Sequence, residues 1–171
     1  MLKGLCKYVL IGHSERRVHF HERDWQINRK LRAALEHGIS PVLCVGENAE
    51  QLEHGETGVV LAEQLEGALK DLSLDPRMVI AYEPAWATMG MATPPSPAHI
   101  GEVCAYLREI LSGLGPVPPE LRVIYGGPVT VRNASELAAQ ASIDGLLVGS
   151  ASLRAEDFVI IVRAVAETRS A

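Results

Sequence analysis

The sequence predicts an α/β fold built on a parallel sheet, and three observations carry that reading. Five short apolar runs alternate with stretches of helical periodicity. The runs are continuously apolar, as strands covered on both faces are, and do not alternate with polar residues. Polar residues and glycines gather just after each run, at the strand ends where parallel α/β folds bind their ligands.

Taken in order, Tyr8–Gly12 is the first strand, and Asp24–Gly38 follows as a helix. Its apolar residues Ile27, Leu31, Ala34 and Leu35 recur at helical spacing, and Gly38 is a natural stop. Pro41–Gly46 is the second strand. Thr57 to Leu72 is the next helix, with Val60, Ala62, Leu65, Ala68 and Leu69 on its apolar face. Met78–Tyr82 is the third strand; it ends on Glu83, and Pro84 stops the ladder there. From Trp86 a loop too long for a simple connection suggests a lid. Ser96-Pro97 then starts a helix as N-cap and first helical residue, running to about Ser112 before Gly113. Arg122–Tyr125 is the fourth strand, breaking at Gly126-Gly127-Pro128. Ala134 to Ala141 is a short helix, Gly145–Gly149 the fifth strand, and a last helix begins near Ser152. The order fits either a doubly wound sheet or a (β/α) barrel. Gly12-His13-Ser14-Glu15 is not the glycine-rich turn of a dinucleotide-type doubly wound sheet.

Composition narrows the function classes. A chain of 171 residues, 47% hydrophobic and 22% charged, has the balance of one globular domain, 1–171. Its net charge of −5, with Lys and Arg scattered except at Arg16-Arg17, points to no nucleic acid and no membrane partner. Cys6, Cys44 and Cys104 have neither metal-like nor redox-like spacing, which fits a reducing compartment. With no membrane-length apolar run and no signal-peptide pattern, the expected location is cytoplasmic.

The chemistry-bearing residues follow the strands. His13 and Glu15 come after the first, Glu47 after the second, Glu83 after the third, Gly126-Gly127 after the fourth and Gly149-Ser150 after the fifth. Glycines there let backbone N–H groups approach a phosphate, and helix N-termini add a favourable dipole. A carboxylate base, an imidazole and a phosphate nest together suit proton abstraction beside the carbonyl of a small phosphorylated sugar. Taken singly, each has a blander reading: a solvated strand-end Glu, a structural His, a tight glycine turn. Their joint appearance at one end of successive strands favours chemistry. His19 and His21 read as surface residues rather than metal ligands, since no carboxylate or Cys cluster accompanies them. Arg16-Arg17 fits an anion clamp or a salt-bridged scaffold equally.

At these residues the chain resembles the triosephosphate isomerase family. The strings that carry the resemblance are Tyr8–Arg17, Cys44–Glu47, Ala81–Ala87, Tyr125–Gly127, Ile143–Gly149 and Ala151–Phe158, in the family's order and across essentially the whole chain. The resemblance implies a (β/α)₈ TIM barrel, partial here, with five strands corresponding to the family's fourth to eighth. It implies Glu83 as the base that shuttles a proton between neighbouring carbons and His13 as the neutral electrophile, with Glu15 close by. Triosephosphate isomerase is itself the standard example of such a pairing. Substrate phosphate would be held by Gly90, Gly127, Gly149 and Ser150. Side chains alone carry this proton shuttle, so no cofactor and no metal is expected, and the complete protein is expected to be a homodimer.

Several positions depart from the family pattern. A full barrel takes about 250 residues. The family's first strand, with the Asn and Lys that contact substrate, and its dimer-interface loop have no counterpart, and Met1-Leu2-Lys3 resembles an internal family segment. The expectation is therefore an incomplete form. Five strands do not close a barrel, so Tyr8–Gly12 and Gly145–Gly149 should be open apolar edges. Losing a preorganised cation costs on the order of 10²–10³ in rate, so the chain alone should be poorly active. The family's lid, Ile-Gly-x-Gly-Lys-Thr, is Thr88-Met89-Gly90-Met91-Ala92-Thr93 here. Pro128 replaces the Ser of Tyr-Gly-Gly-Ser, removing a hydroxyl and a backbone N–H. Gly149-Ser150 replaces a glycine pair, and Thr93-Pro94-Pro95 resembles paralogues acting on other short sugar phosphates. Three readings follow: a triosephosphate isomerase in incomplete form, a paralogous isomerase of a tetrulose phosphate, and an inactive truncated barrel with only an association role.

Overall fold

The computed structural model describes residues 4–88 and 95–170. Its strands are β1 (Tyr8–Ile11), β2 (Ser40–Val45), β3 (Val79–Tyr82), β4 (Arg122–Gly127) and β5 (Gly145–Val148). All pair in parallel, in the order β1-β2-β3-β4-β5. Each strand lies beside its neighbour in sequence, with no point where the winding reverses. That order belongs to a barrel and not to a doubly wound sheet, and five strands of it make a parallel half-barrel.

Alternate residues along each strand serve different layers. Ile11, Leu43, Ile80, Tyr82 and Val123 point into the main core with the helices. Ile27 and Leu31 enter it from α2 (Asp24–Glu36), Leu61 and Leu65 from α4 (Thr57–Ala68), and Leu107 and Leu111 from α6 (Pro97–Leu114). Leu137 of α7 (Ala134–Ala138) and Ile161 of α8 (Ala155–Ser170) complete it. Val42, Cys44 and Ala81 form a separate small cluster with Val79, Ile124 and Leu147 on the opposite face. Helices thus cover one face, and the other is the concave inner face. Each large core side chain adds roughly 1.5–3 kcal/mol by its removal from water.

Five elements differ from the sequence expectation; α7, expected to reach Ala141, stops at Ala138, and the other four differ for local reasons. The helix expected to reach Leu72 ends at Ala68, and the chain turns through Asp71 at φ 54°. Side chains of α2 take the freed carbonyls: Asn28 donates to Ala68 O at 2.7 Å, and Arg32 donates to Lys70 O at 2.7 Å and to Asp71 O at 2.8 Å. The fourth strand runs on through Gly126 and Gly127, because both pair with Leu147 and Val148 of β5. The stretch from Ala85 to Thr88, expected as loop from Trp86, is a helical turn, α5, with Trp86 buried. The last helix begins at Ala155, after a 3₁₀ turn over Ser150–Leu153. Two short helices, α1 (Ser14–His19) and α3 (Ala49–Glu53), were not foreseen.

Candidate active site

The first strand delivers an imidazole. Gly12, at φ 77°, makes a turn that a side chain would strain, since an added Cβ would press on Ile27 and the Cys44 carbonyl. His13 follows as the N-cap of α1, its Nδ1 accepting from the Glu15 backbone N–H at 3.4 Å. With Nδ1 an acceptor, the neutral ring carries its proton on Nε2.

The third strand delivers a carboxylate to meet it. Glu83 N donates to Val45 O at 2.7 Å, a ladder-like bond that fixes the residue just beyond β3. Its side chain is only 4% exposed, and Oε1 lies 2.7 Å from His13 Nε2. Oε2 accepts from the Ser14 backbone N–H at 3.0 Å. The hydrogen bond to Glu83 raises the His13 pKa above its ordinary value; partial burial opposes this, and the charges of Glu83 and Glu15 add to it. Burial pushes the neighbouring Cys44 thiol well up, and the Glu83 charge pushes it further, so Cys44 stays protonated.

The scaffold around this pair is polar and fully engaged. Arg17 donates to Gly12 O at 2.9 Å, to Cys44 O at 3.3 Å and to Asp24 Oδ1 at 2.7 Å, tying the ends of β1 and β2 to α2. Burial pulls the Glu22 carboxyl up, but hydrogen bonds from Lys30 and Arg16 outweigh it and hold the pKa below its usual value. Both arginines are therefore scaffold elements. Glu47 is a correction to the sequence reading. It does not join the strand-end cluster but is wholly buried, accepting from Tyr82 OH at 3.0 Å and Trp86 Nε1 at 2.8 Å. It braces the two aromatic residues on either side of Glu83.

A cavity of about 670 Å³ at the carboxyl ends of the strands brings the remaining predicted residues together. His13, Glu15, Glu83, Gly127, Gly149 and Ser150 all line it. Glu15 itself stands exposed at the rim. In the turn after β4, the Val129 N–H is already committed to Gly127 O at 2.8 Å, and Pro128 has none to offer. Gly90 lies outside the described residues, as does the rest of the stretch from Met89 to Pro94. His19 and His21 are exposed, and His19 reaches the cavity lining. Among the described residues no three His, Cys, Asp or Glu side chains are grouped to hold a metal ion, and no helix is long and apolar enough to cross a membrane. Sequence reasoning missed Ser14 and Thr88. Ser14 is marked in the sequence only by following His13, and Thr88 only as a departure from the family's lid pattern, neither of which points to Glu83. A second cavity, of about 710 Å³, lies between the turns after α4 and α6, and its lining includes no histidine.

A protein-family model described as triosephosphate isomerase matches residues 1–165. Two curated proteins, each named triosephosphate isomerase and from Dehalococcoides mccartyi strains BAV1 and CBDB1, are 45% identical to the chain over 168 residues. The matched stretch is 97% of this chain and 66% of each relative. The chain thus spans a little under two-thirds of their length.

Proposed function

Because the chain belongs to the triosephosphate isomerase family, we propose that it carries that family's reaction, the interconversion of glyceraldehyde 3-phosphate and dihydroxyacetone phosphate. The observation that supports this most is the His13–Glu83 contact, 2.7 Å from Nε2 to Oε1, in a cavity also lined by Gly126, Gly127 and Gly149. Glu83 takes the proton from the carbon beside the substrate carbonyl. The neutral His13 Nε2–H donates to the carbonyl oxygen as it gains charge, giving an enediolate. Glu83 then returns the proton to the neighbouring carbon, so atoms and charge balance with side chains alone. For this, substrate must displace Glu83 from His13, since one Nε2–H serves one acceptor. Glu15 biases the imidazole through its charge. Backbone N–H groups at Gly127, Gly149 and Ser150 receive the phosphate, and Gly90, the fourth residue assigned to it, lies outside the described residues.

In this reading residues 1–171 form one partial barrel domain, the five strands being the family's fourth to eighth. The complete enzyme is a cytoplasmic homodimer of glycolysis and gluconeogenesis, acting on a small phosphorylated sugar. The 171 residues hold no counterpart of the family's first-strand Asn and Lys, so turnover by this chain alone should be weak. The test is kcat/KM for glyceraldehyde 3-phosphate, measured on the chain and on the chain joined to the three βα units that precede it in the family. Turnover restored by the joined units supports the reading. No turnover in either form leaves an inactive barrel and sinks it. The committed Val129 N–H and Pro128 favour one second reading, a paralogue for a tetrulose phosphate. The ratio of kcat/KM for tetrose and triose phosphates separates the two.

A further inference from the structure

Thr88 closes a chain of hydrogen bonds that the proposed reaction does not use. Its hydroxyl donates to Ala85 O at 3.1 Å. Its oxygen lies 3.2 Å from Ser14 Oγ. A carbonyl can only accept, so the single Thr88 hydroxyl proton is committed to Ala85, and the Ser14 hydroxyl must be the donor to Thr88. Ser14 is the residue whose backbone N–H donates to Glu83 Oε2 at 3.0 Å. One buried residue therefore touches the carboxylate with its amide and turns its hydroxyl away toward Thr88.

That division matters to a base. A buried hydroxyl needs an acceptor. Were the Thr88 oxygen removed, rotation about one side-chain bond would offer the Ser14 hydroxyl the Glu83 carboxylate instead. An extra hydrogen bond to an ionised carboxylate makes it less basic and draws it from its other partners. We infer that Thr88 is a positioning residue: its oxygen keeps the Ser14 hydroxyl occupied and away from Glu83, so that the carboxylate stays basic and paired with His13. Thr88 is also the first position at which the chain leaves the family's lid pattern, so this hydroxyl relay is a property of this chain's own residues. The inference deepens the proposed function and rests on it for the word base.

The test reads His13 directly, by following its ring resonances against pH in the chain. His13 faces Glu83 and Glu15; Cys44 and Arg17 line a neighbouring cavity with Glu83, and His19 lines the same cavity as His13. Thr88→Val should lower the His13 pKa by roughly half a unit to one unit, the equivalent of one competing hydrogen bond. Thr88→Ala should reproduce that shift, and Thr88→Ser should abolish it. In T88V with Ser14→Ala added, the competing hydroxyl is gone, and the wild-type titration should return. A T88V titration identical to wild type, or a double variant that stays shifted, overturns the inference. In the complete enzyme T88V should lower kcat about threefold to tenfold with KM nearly unchanged, and move the base's limb of the pH profile to lower pH. The titration needs no turnover. Absence of any isomerase activity would defeat the functional reading, and an unshifted His13 would defeat this one.

Discussion

Nε2 of His13 lies 2.7 Å from Oε1 of Glu83, so one proton on the imidazole is shared with a carboxylate that is 4% exposed. Two properties then depend on a single titration with opposite sign. A histidine whose pKa is raised on folding adds stability that is fully present below its ordinary value of 6.5 and lost as pH rises through the raised value. Isomerisation needs the imidazole neutral, so activity should rise over that same interval. Urea midpoints for the chain should therefore fall as pH rises from below 6.5 through the raised His13 value, and His13→Gln should remove that part of the fall. In the complete enzyme kcat/KM should climb where stability declines. A rate profile falling through this interval would contradict the role given to His13.

Replacing Glu83 by Gln keeps the size of the side chain and one carbonyl oxygen, enough to accept from the Ser14 N–H or from His13 but not from both as now, and removes the base. The folded state should survive, with kcat in the complete enzyme lower by roughly 10²–10⁴. Glu83→Asp retains the charge but withdraws it by one methylene from both partners and should fall between the two. Turnover by E83Q near the wild-type rate would assign the base elsewhere.

Much of the site was legible because it rides on strands, and strands with two covered faces announce themselves as apolar runs. Once the sheet is parallel, whatever follows each run must share one end, and His13, Glu15, Glu83, Gly127, Gly149 and Ser150 do line one cavity. What escaped was set by groups distant in sequence. Nothing within Thr57 to Leu72 says that Asn28 and Arg32 will end the helix. The glycine pair looks like a break until β5 pairs with it. Short helices depend on single caps: α3 carries a readable one, Asn48 with Gln51 three residues on, whereas the cap of α1 is the candidate catalytic histidine itself. Glu47 looked like a site residue because a strand-end carboxylate gives no sign of whether donors or water will meet it.

Glu47 supplies the next test. Glu47→Ala would leave the Tyr82 hydroxyl and the Trp86 indole N–H buried with no acceptor, a cost of roughly 2–4 kcal/mol for the two donors. Glu47→Gln keeps one carbonyl oxygen and should cost less. Trp86 is buried and Trp25 exposed, so a red shift of fluorescence in E47A reports chiefly on Trp86. Equal stability of E47A and wild type in urea would show that the brace contributes nothing.

The edges of the sheet set the behaviour of the chain by itself. Among the described residues β1 and β5 each pair with one neighbour. On β1, Tyr8 is 53% and Leu10 45% exposed. On α8, which packs on α7, Phe158, Val159, Ile160 and Val162 are exposed as well. Unpaired parallel strands with apolar side chains present a row of backbone donors and acceptors to any other strand, and a long side-chain charge on such an edge disfavours that pairing. The isolated chain should therefore self-associate, with an apparent mass by light scattering that rises with concentration. Leu10→Lys and Tyr8→Lys should each lower that mass without unfolding the chain, because both side chains already face solvent. Lysine at Val9, which packs against the helix-side core, should instead unfold it. A chain that stays monomeric at every concentration would mean that the open edge is protected by something other than pairing.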